Sequence, residues 1–296
     1  MKVSANGLEI EIEDHGNPDD PPLLLIMGFS GQLSLWPDAF VEELVERGFR
    51  VIRYDNRDIG LSQKFDGVKA PHPIWQMLVK RILKNRRMAP YTLEDMAADA
   101  VGVLDALNIE KAHVLGVSMG GMISQIVAAD YPERVLSLMP VMTSTNAPGL
   151  PGPDKEVRKI LFQAARNRPE TEEEAVAAGM RFFTAIGSPG GDERRAEIEE
   201  LIRKNVARSF YPEGASRQMA AIIDTGNLRP WASRVRADTM VVHGVADPLI
   251  LHPCGADVAD HIEGARFELI EGMGHDLPEA LHGRLADLVA GHSLGR

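Results

Sequence analysis

Gly116-Val117-Ser118-Met119-Gly120 lies between the apolar run Ala112-His113-Val114-Leu115 and the stretch Gly121-Met122-Ile123-Ser124-Gln125-Ile126-Val127-Ala128-Ala129. The first run reads as a buried strand and the second as a helix, so the pentapeptide is a G-x-S-x-G turn joining strand to helix. Such a turn holds its serine in a strained backbone conformation, and glycine two residues to either side lets the chain fold back closely. Ser118 Oγ is then expected to stand clear of the backbone. The N–H of Met119, at the helix N-terminus, would point at a developing oxyanion. The plain alternative is a glycine-rich crossover with an incidental serine. A base, an acid and a second oxyanion donor elsewhere in the chain would decide between the two.

Outward from this turn, short apolar runs recur: Pro22–Met27, Arg50–Tyr54, Val135–Met139, Thr239–Val242 and Arg266–Ile270. Helical patterns separate them, among them Ala39–Glu46, Thr92–Leu107 and Met119–Asp130. That alternation predicts a mostly parallel sheet with helices on both faces, an α/β fold. Only the N-terminus differs. There Leu8, Ile10 and Ile12 alternate with Glu9, Glu11 and Glu13 after Asn6-Gly7, which reads as an antiparallel hairpin with one wet face.

Between about Asn146 and Trp231 the strand pattern stops. Helical matches cover Lys155–Asn167, Glu172–Ile186, Arg194–Arg208 and Ser216–Asp224, punctuated by Pro148, Pro151, Pro153, Pro189, Gly190 and Gly191. The organisation expected is a core of residues 1–145 and 232–296, with 146–231 inserted as a helical cap before the acid-bearing strand. The cap would cover the C-terminal edge of the sheet, where open α/β sheets bind ligands.

Of 296 residues, 44% are hydrophobic, enough for a sizeable core. A net charge of -11 argues against nucleic acid as a partner, since phosphate binding requires a basic face. Cys254 is the sole cysteine, which excludes an internal disulfide and fits a reducing compartment. The start, Met1-Lys2-Val3-Ser4-Ala5-Asn6-Gly7, lacks the apolar stretch of about 7–15 residues of a signal peptide. No run approaches the ~18 apolar residues of a membrane span. A soluble, cytoplasmic protein without cofactor or metal is expected.

A serine hydroxyl is a weak nucleophile at neutral pH and requires a base within hydrogen-bond reach. His275 has the best context among nine histidines, in the loop Glu271-Gly272-Met273-Gly274-His275-Asp276-Leu277-Pro278 after the last strand. His113 and His243 fall inside strands and read as packing or supporting residues. His15, His72, His252, His261, His282 and His292 read as surface or turn residues. The acid that fixes the imidazole tautomer is expected to be Asp247, in the loop Val245-Ala246-Asp247-Pro248, in preference to Asp224 in the cap. Phe29, in Met27-Gly28-Phe29-Ser30-Gly31, would supply the second oxyanion N–H beside that of Met119. Gly28, Trp36, Met142, Phe182 and Phe183 are candidates to line the substrate site, and an apolar site is expected.

The order Ser118, Asp247, His275 is that of the α/β-hydrolase fold. Over essentially its full length the chain resembles that superfamily, and within it the aclacinomycin methylesterase-like carboxylesterases. The likeness rests on Leu25-Ile26-Met27-Gly28, with methionine where most relatives carry histidine, on Trp36-Pro37, on the stretch from Val51 to Ser62, on Gly116–Gly121 and on Gly272–Pro278. It implies a helical cap and ester hydrolysis through an acyl-serine intermediate. Asp55-Asn56-Arg57-Asp58 reads as a structural turn network rather than catalytic machinery. A small-molecule ester substrate is expected; lactone hydrolysis or perhydrolysis by the same triad, or a silent ligand-binding protein on this fold, are the alternatives.

The segment Phe65–Pro90 is longer than the resemblance leads one to expect. Residues 73–87 carry five basic residues and no acid, with Ile74, Leu78 and Ile82 spaced as one apolar stripe. We expect the stripe to pack near the site's mouth with its charges solvated. Weak contact with an interface through residues 73–87 is the alternative. The oligomeric state is not legible.

Overall fold

The computed structural model describes residues 1–83, 86–166, 169–190 and 193–295. Eight strands, β1 (Lys2–Ala5), β2 (Leu8–His15), β3 (Pro22–Ile26), β4 (Arg50–Tyr54), β5 (Ala112–Val117), β6 (Val135–Val141), β7 (Asp238–Gly244) and β8 (Arg266–Ile270), form one sheet. Its order is β1-β2-β4-β3-β5-β6-β7-β8. The pairings β1–β2 and β2–β4 are antiparallel, and all the others are parallel. Asn6 (φ 50°) and Gly7 (φ 76°) turn the β1–β2 hairpin in the left-handed geometry that two-residue hairpin loops require. β3, β5 and β7 are buried along almost their whole length, as a parallel sheet covered on both faces demands. β6 runs on through Pro140 to Val141, two residues beyond the run its apolar pattern marks out.

The two faces carry separate cores. On one, α3 (Leu93–Ala106), α4 (Met119–Asp130), α9 (Arg229–Ala232) and α10 (His252–His261) bury residues such as Met96, Leu104, Ile126, Ala232 and Val258 against Leu24, Ile52 and Val114. On the other, α1 (Asp38–Glu46) and α11 (His282–Leu294) bury Phe40, Leu44, Leu285 and Val289 against Leu23, Val51 and Val242. His282 and His292 are buried in this second layer, not on the surface as their sequence context suggests. His282 Nε2 lies 3.0 Å from Leu277 O and His292 Nε2 3.2 Å from Leu138 O, so backbone carbonyls satisfy both rings.

Four helices, α5 (Lys155–Arg166), α6 (Glu172–Ile186), α7 (Arg195–Arg208) and α8 (Pro212–Thr225), separate β6 from β7. Asn167 and Gly191, assigned in sequence to this segment, lie outside the described residues. α6 and α7 share a small core of Val176, Met180, Ile198 and Ile202. Polar side chains also tie α7 and α8 to loops that follow the C-terminal ends of strands. Gln32 Nε2 donates to Asn205 O (2.6 Å), Arg208 Nη1 to Asp55 Oδ2 (2.7 Å), and Arg217 forms a two-pronged pair with Asp58 (2.7 and 2.9 Å).

The helix predicted in the long insertion is α2 (Pro73–Ile82), but its orientation reverses the expectation. Gln76 is buried, donating to Ala220 O (2.8 Å) and Asp224 Oδ1 (2.9 Å), and Lys80 Nζ donates to Asp224 O (2.7 Å). The apolar stripe faces solvent instead: Ile74, Leu78 and Ile82 are 57%, 53% and 81% exposed. A buried carboxylate on α8 has claimed the polar face, and the apolar face is what remains.

One buried histidine sets an acid limit on stability. His113 Nδ1 lies 2.8 Å from Ser137 Oγ, and burial, helped by nearby His292, lowers its pKa from 6.5 to about 4. The unfolded chain therefore binds a proton between those values that the folded chain refuses. Stability from this group is complete above about pH 6.5 and is lost as pH falls through about 4. We expect His113→Gln to flatten the fall in urea midpoint across that window; an unchanged slope would exclude His113 as its source.

Candidate active site

β5 ends against the first turn of α4, and Ser118 between them has φ 54° and ψ −119°. A non-glycine residue in that region is strained and persists only where its surroundings fix it. Here Ser118 N donates to Val141 O (3.0 Å), while Thr143 Oγ1 and Met122 N donate to Ser118 O at 2.6 and 3.1 Å. The flanking glycines are obligatory for steric reasons. A Cβ on Gly120 would stand 1.9 Å from Ile26 O, and one on Gly116 would stand 2.2 Å from Gly120 O. The chain turns there backbone against backbone.

Gly28 brings the loop after β3 against this elbow, where a Cβ would meet Ser118 Cβ at 3.1 Å and Oγ at 3.7 Å. Asn56 Nδ2 holds Met27 O (2.9 Å), and Gln218 Oε1 on α8 accepts from Ser30 N (2.9 Å). Between these anchors, the N–H of Phe29 takes part in no hydrogen bond among the described residues. Met119 is the first residue of α4, so its N–H has no intrahelical acceptor. The N–H groups of Phe29 and Met119 are thus both unengaged among the described residues.

At the ends of β7 and β8 the structure brings Asp247 and His275 together. His275 Nδ1 is 2.7 Å from Asp247 Oδ2. A carboxylate only accepts, so Nδ1 carries the proton and the Nε2 lone pair is left free. Asp247 Oδ1 accepts from Leu249 N and Ile250 N, both at 2.9 Å. His243 Nε2 donates to Ile250 O (2.7 Å) and lies 3.3 Å from Asp247 Oδ2. Burial alone would raise the Asp247 carboxyl. Attraction to the His275 ring when it is protonated, hydrogen bonds from both imidazoles and the Ile250 N–H outweigh it and hold the pKa at about 2. Asp247 is therefore a fixed anion across the physiological range. Among the described residues no hydrogen bond joins Ser118 Oγ to His275; such contacts are often loose without substrate.

The proposed lining residues divide. Met142 follows β6 with φ 42°, its N–H bonded to Val242 O at 2.9 Å, next to the elbow strand. Phe29, the residue after Gly28, is 36% exposed. Trp36 has no exposed surface: it stacks on Phe40 (centroids 6.2 Å apart) in the core beneath α1, so it cannot line an open site. Phe183 packs into the α6–α7 core, with Phe182 edge-on to it at 5.7 Å. Two surface cavities, of about 540 Å³ beside Arg50 and Lys111 and about 600 Å³ among α5, α6 and α7, include none of Ser118, Asp247 or His275.

Several supporting residues escape a sequence reading. Asn56 lies in the stretch read as a structural turn, and Asp55 and Asp58 behave as that reading expects. Asp276 follows the histidine directly. Its Oδ1 accepts from Ser188 N (2.8 Å) and its Oδ2 from Arg194 Nη1 (2.7 Å), while His275 N donates to Ile186 O (2.8 Å). The loop carrying His275 is thus bolted to the α6–α7 junction. An acidic residue after the histidine is the only signal in sequence, and its partners lie some 80 residues away.

A family described as the alpha/beta hydrolase fold matches residues 21–279. A rhodomycin D methylesterase of Streptomyces peucetius is 32% identical over 305 residues, covering 95% of this chain and 93% of the relative. Another from Streptomyces sp. strain C5 is also 32% identical, covering 98% and 97%. Among solved structures, a hydrolase from Pseudomonas aeruginosa PA01 aligns over 100% of this chain and 98% of its own with a TM-score of 0.73 and 25% identity.

Proposed function

The chain belongs to the alpha/beta hydrolase fold family, and from that premise we propose that it hydrolyses carboxylic esters through an acyl-enzyme on Ser118. Ser118 Oγ attacks the ester carbonyl carbon, and His275 Nε2, whose lone pair is free, takes the hydroxyl proton. The carbonyl oxygen becomes an oxyanion between the N–H groups of Phe29 and Met119. Collapse breaks the acyl–oxygen bond, and the departing alkoxide takes the proton back from His275. Water then attacks the acyl-serine in the same way, releasing the acid and regenerating Ser118. Asp247 stays ionised throughout and steadies the imidazolium.

The observation that carries this reading is the 2.7 Å Asp247–His275 bond, which leaves Nε2 as a base on the same sheet edge as the strained serine. Residues 146–231 act as the cap, setting which esters enter. The methylesterase names of the relatives favour a small alcohol leaving group. The exposed Phe29 side chain, next to Gly28 at the elbow, favours uncharged esters of small to medium size. A panel of p-nitrophenyl and methyl esters tests this: neutral acyl groups should show higher kcat/KM than dicarboxylate monoesters of equal length. A strict preference for the charged series would overturn the apolar site.

A further inference from the structure

The insertion that carries α2 presents a surface that a water-facing helix does not ordinarily keep. Among the described residues, seven of the thirteen large exposed apolar side chains lie between Val68 and Leu83. On α2 itself Ile74, Leu78 and Ile82 form the centre of the outward face, with Trp75 on one flank (60% exposed) and Met77 on the other (58%). The inward face is the polar one, fixed by Gln76 and Lys80 to Asp224. The amphipathic helix is therefore mounted with its apolar side out.

Charge identifies what covers it. From Asp66 to Glu94 the chain has six Lys and Arg residues and no acid between, inside a protein of net charge -11. Lys80 is engaged with Asp224, and Arg87 approaches Thr92 and Asp95. Lys69, Arg81 and Arg86 are exposed, and none has a carboxylate partner among the described residues. Lys84 lies outside the described residues. From this arrangement we propose that α2 docks the protein on an anionic lipid surface. Its apolar face enters the headgroup boundary, Trp75 sits at the level such rings favour, and Arg81 and Arg86 meet lipid phosphates. Screening over ~8–10 Å keeps the acidic remainder from opposing this local contact. A second copy of the chain fits less well, because a two-fold contact would set each basic face against itself. α2 leans on α8, whose Gln218 holds Ser30 beside Ser118, so the docked face lies one helix away from the elbow.

The docking surface stands independently of the hydrolytic reading, and its test avoids ester lipids. The full-length protein is sedimented with vesicles of ether-linked phosphatidylcholine, with and without ether-linked phosphatidylglycerol. Binding is expected only to the anionic vesicles, with a blue shift of tryptophan emission, and is lost at high salt. Arg81→Glu/Arg86→Glu and Ile74→Ser/Leu78→Ser/Ile82→Ser should each weaken it by about tenfold or more, with p-nitrophenyl acetate turnover and melting temperature unchanged. No binding to anionic vesicles, or equal binding by both variants, overturns the proposal. So does a dimer in solution that the triple serine variant dissociates while vesicle binding is absent.

Discussion

Ser118→Ala will lose ester turnover by about 10⁴–10⁶-fold while unfolding at the same temperature as the parent protein. The side chain makes no hydrogen bond among the described residues and lends nothing to either core. Its removal deletes the nucleophile and leaves the strained turn, which the Ser118 N–H bond to Val141 O and the Thr143 hydroxyl bond to Ser118 O hold. His275→Gln should be as severe, because a glutamine cannot take the hydroxyl proton. Asp247→Asn should be milder, since the acid orients the imidazole and steadies its charge without touching substrate. Activity within tenfold of the parent in Ser118→Ala, or tolerance of His275→Gln with His113 or His252 indispensable, would defeat the assignment.

The largest effect on stability is expected at Arg57. Its guanidinium grips Asp99 with two bonds of 2.6 and 2.7 Å, and both side chains are nearly inaccessible, at 6% and 2%. Burial raises the Asp99 carboxyl above its ordinary range even with this partner. Asn6 Nδ2, at 3.0 Å, is its remaining side-chain donor. Arg57→Met would strand a buried carboxylate, which typically costs about 3–5 kcal/mol. The guanidinium also lies over the Phe65 and Tyr91 rings, 5.7 and 5.1 Å from their centroids, so two cation–π contacts are lost as well. Adding Asp99→Leu should restore much of the loss, because removing both charges removes the desolvation penalty. Chemical denaturation measures both, and a single variant within 1 kcal/mol of the parent would show that water reaches Asp99.

What was legible in sequence follows from local geometry. The elbow announces itself because Gly116 and Gly120 are sterically forced, and strand against helix periodicity marks the sheet on either side. Asp247 and His275 could be placed because each sits in a loop directly after a strand, and a parallel sheet delivers such loops to one edge. The sequence does not reveal which way the Trp36 ring turns: it stacks on Phe40 of the next helix and is buried in the core. The α2 stripe was misread for a related reason. Periodicity identifies an apolar face but not its direction, and the buried Asp224, 148 residues from Gln76, decided it. The anchors of Phe29 and of His275 are likewise long-range polar pairs, for which a single sequence carries no periodic signal.

One serine, placed at the elbow and served by the Asp247–His275 pair, is expected to form the covalent intermediate. Inactivation with diethyl p-nitrophenyl phosphate, followed by intact mass and peptide mapping, tests it most directly. One diethylphosphoryl group per chain is expected, on Ser118, forming in step with loss of activity and absent from Ser118→Ala. Full inactivation with the label on another residue, or esterase activity that survives complete labelling of Ser118, would contradict it.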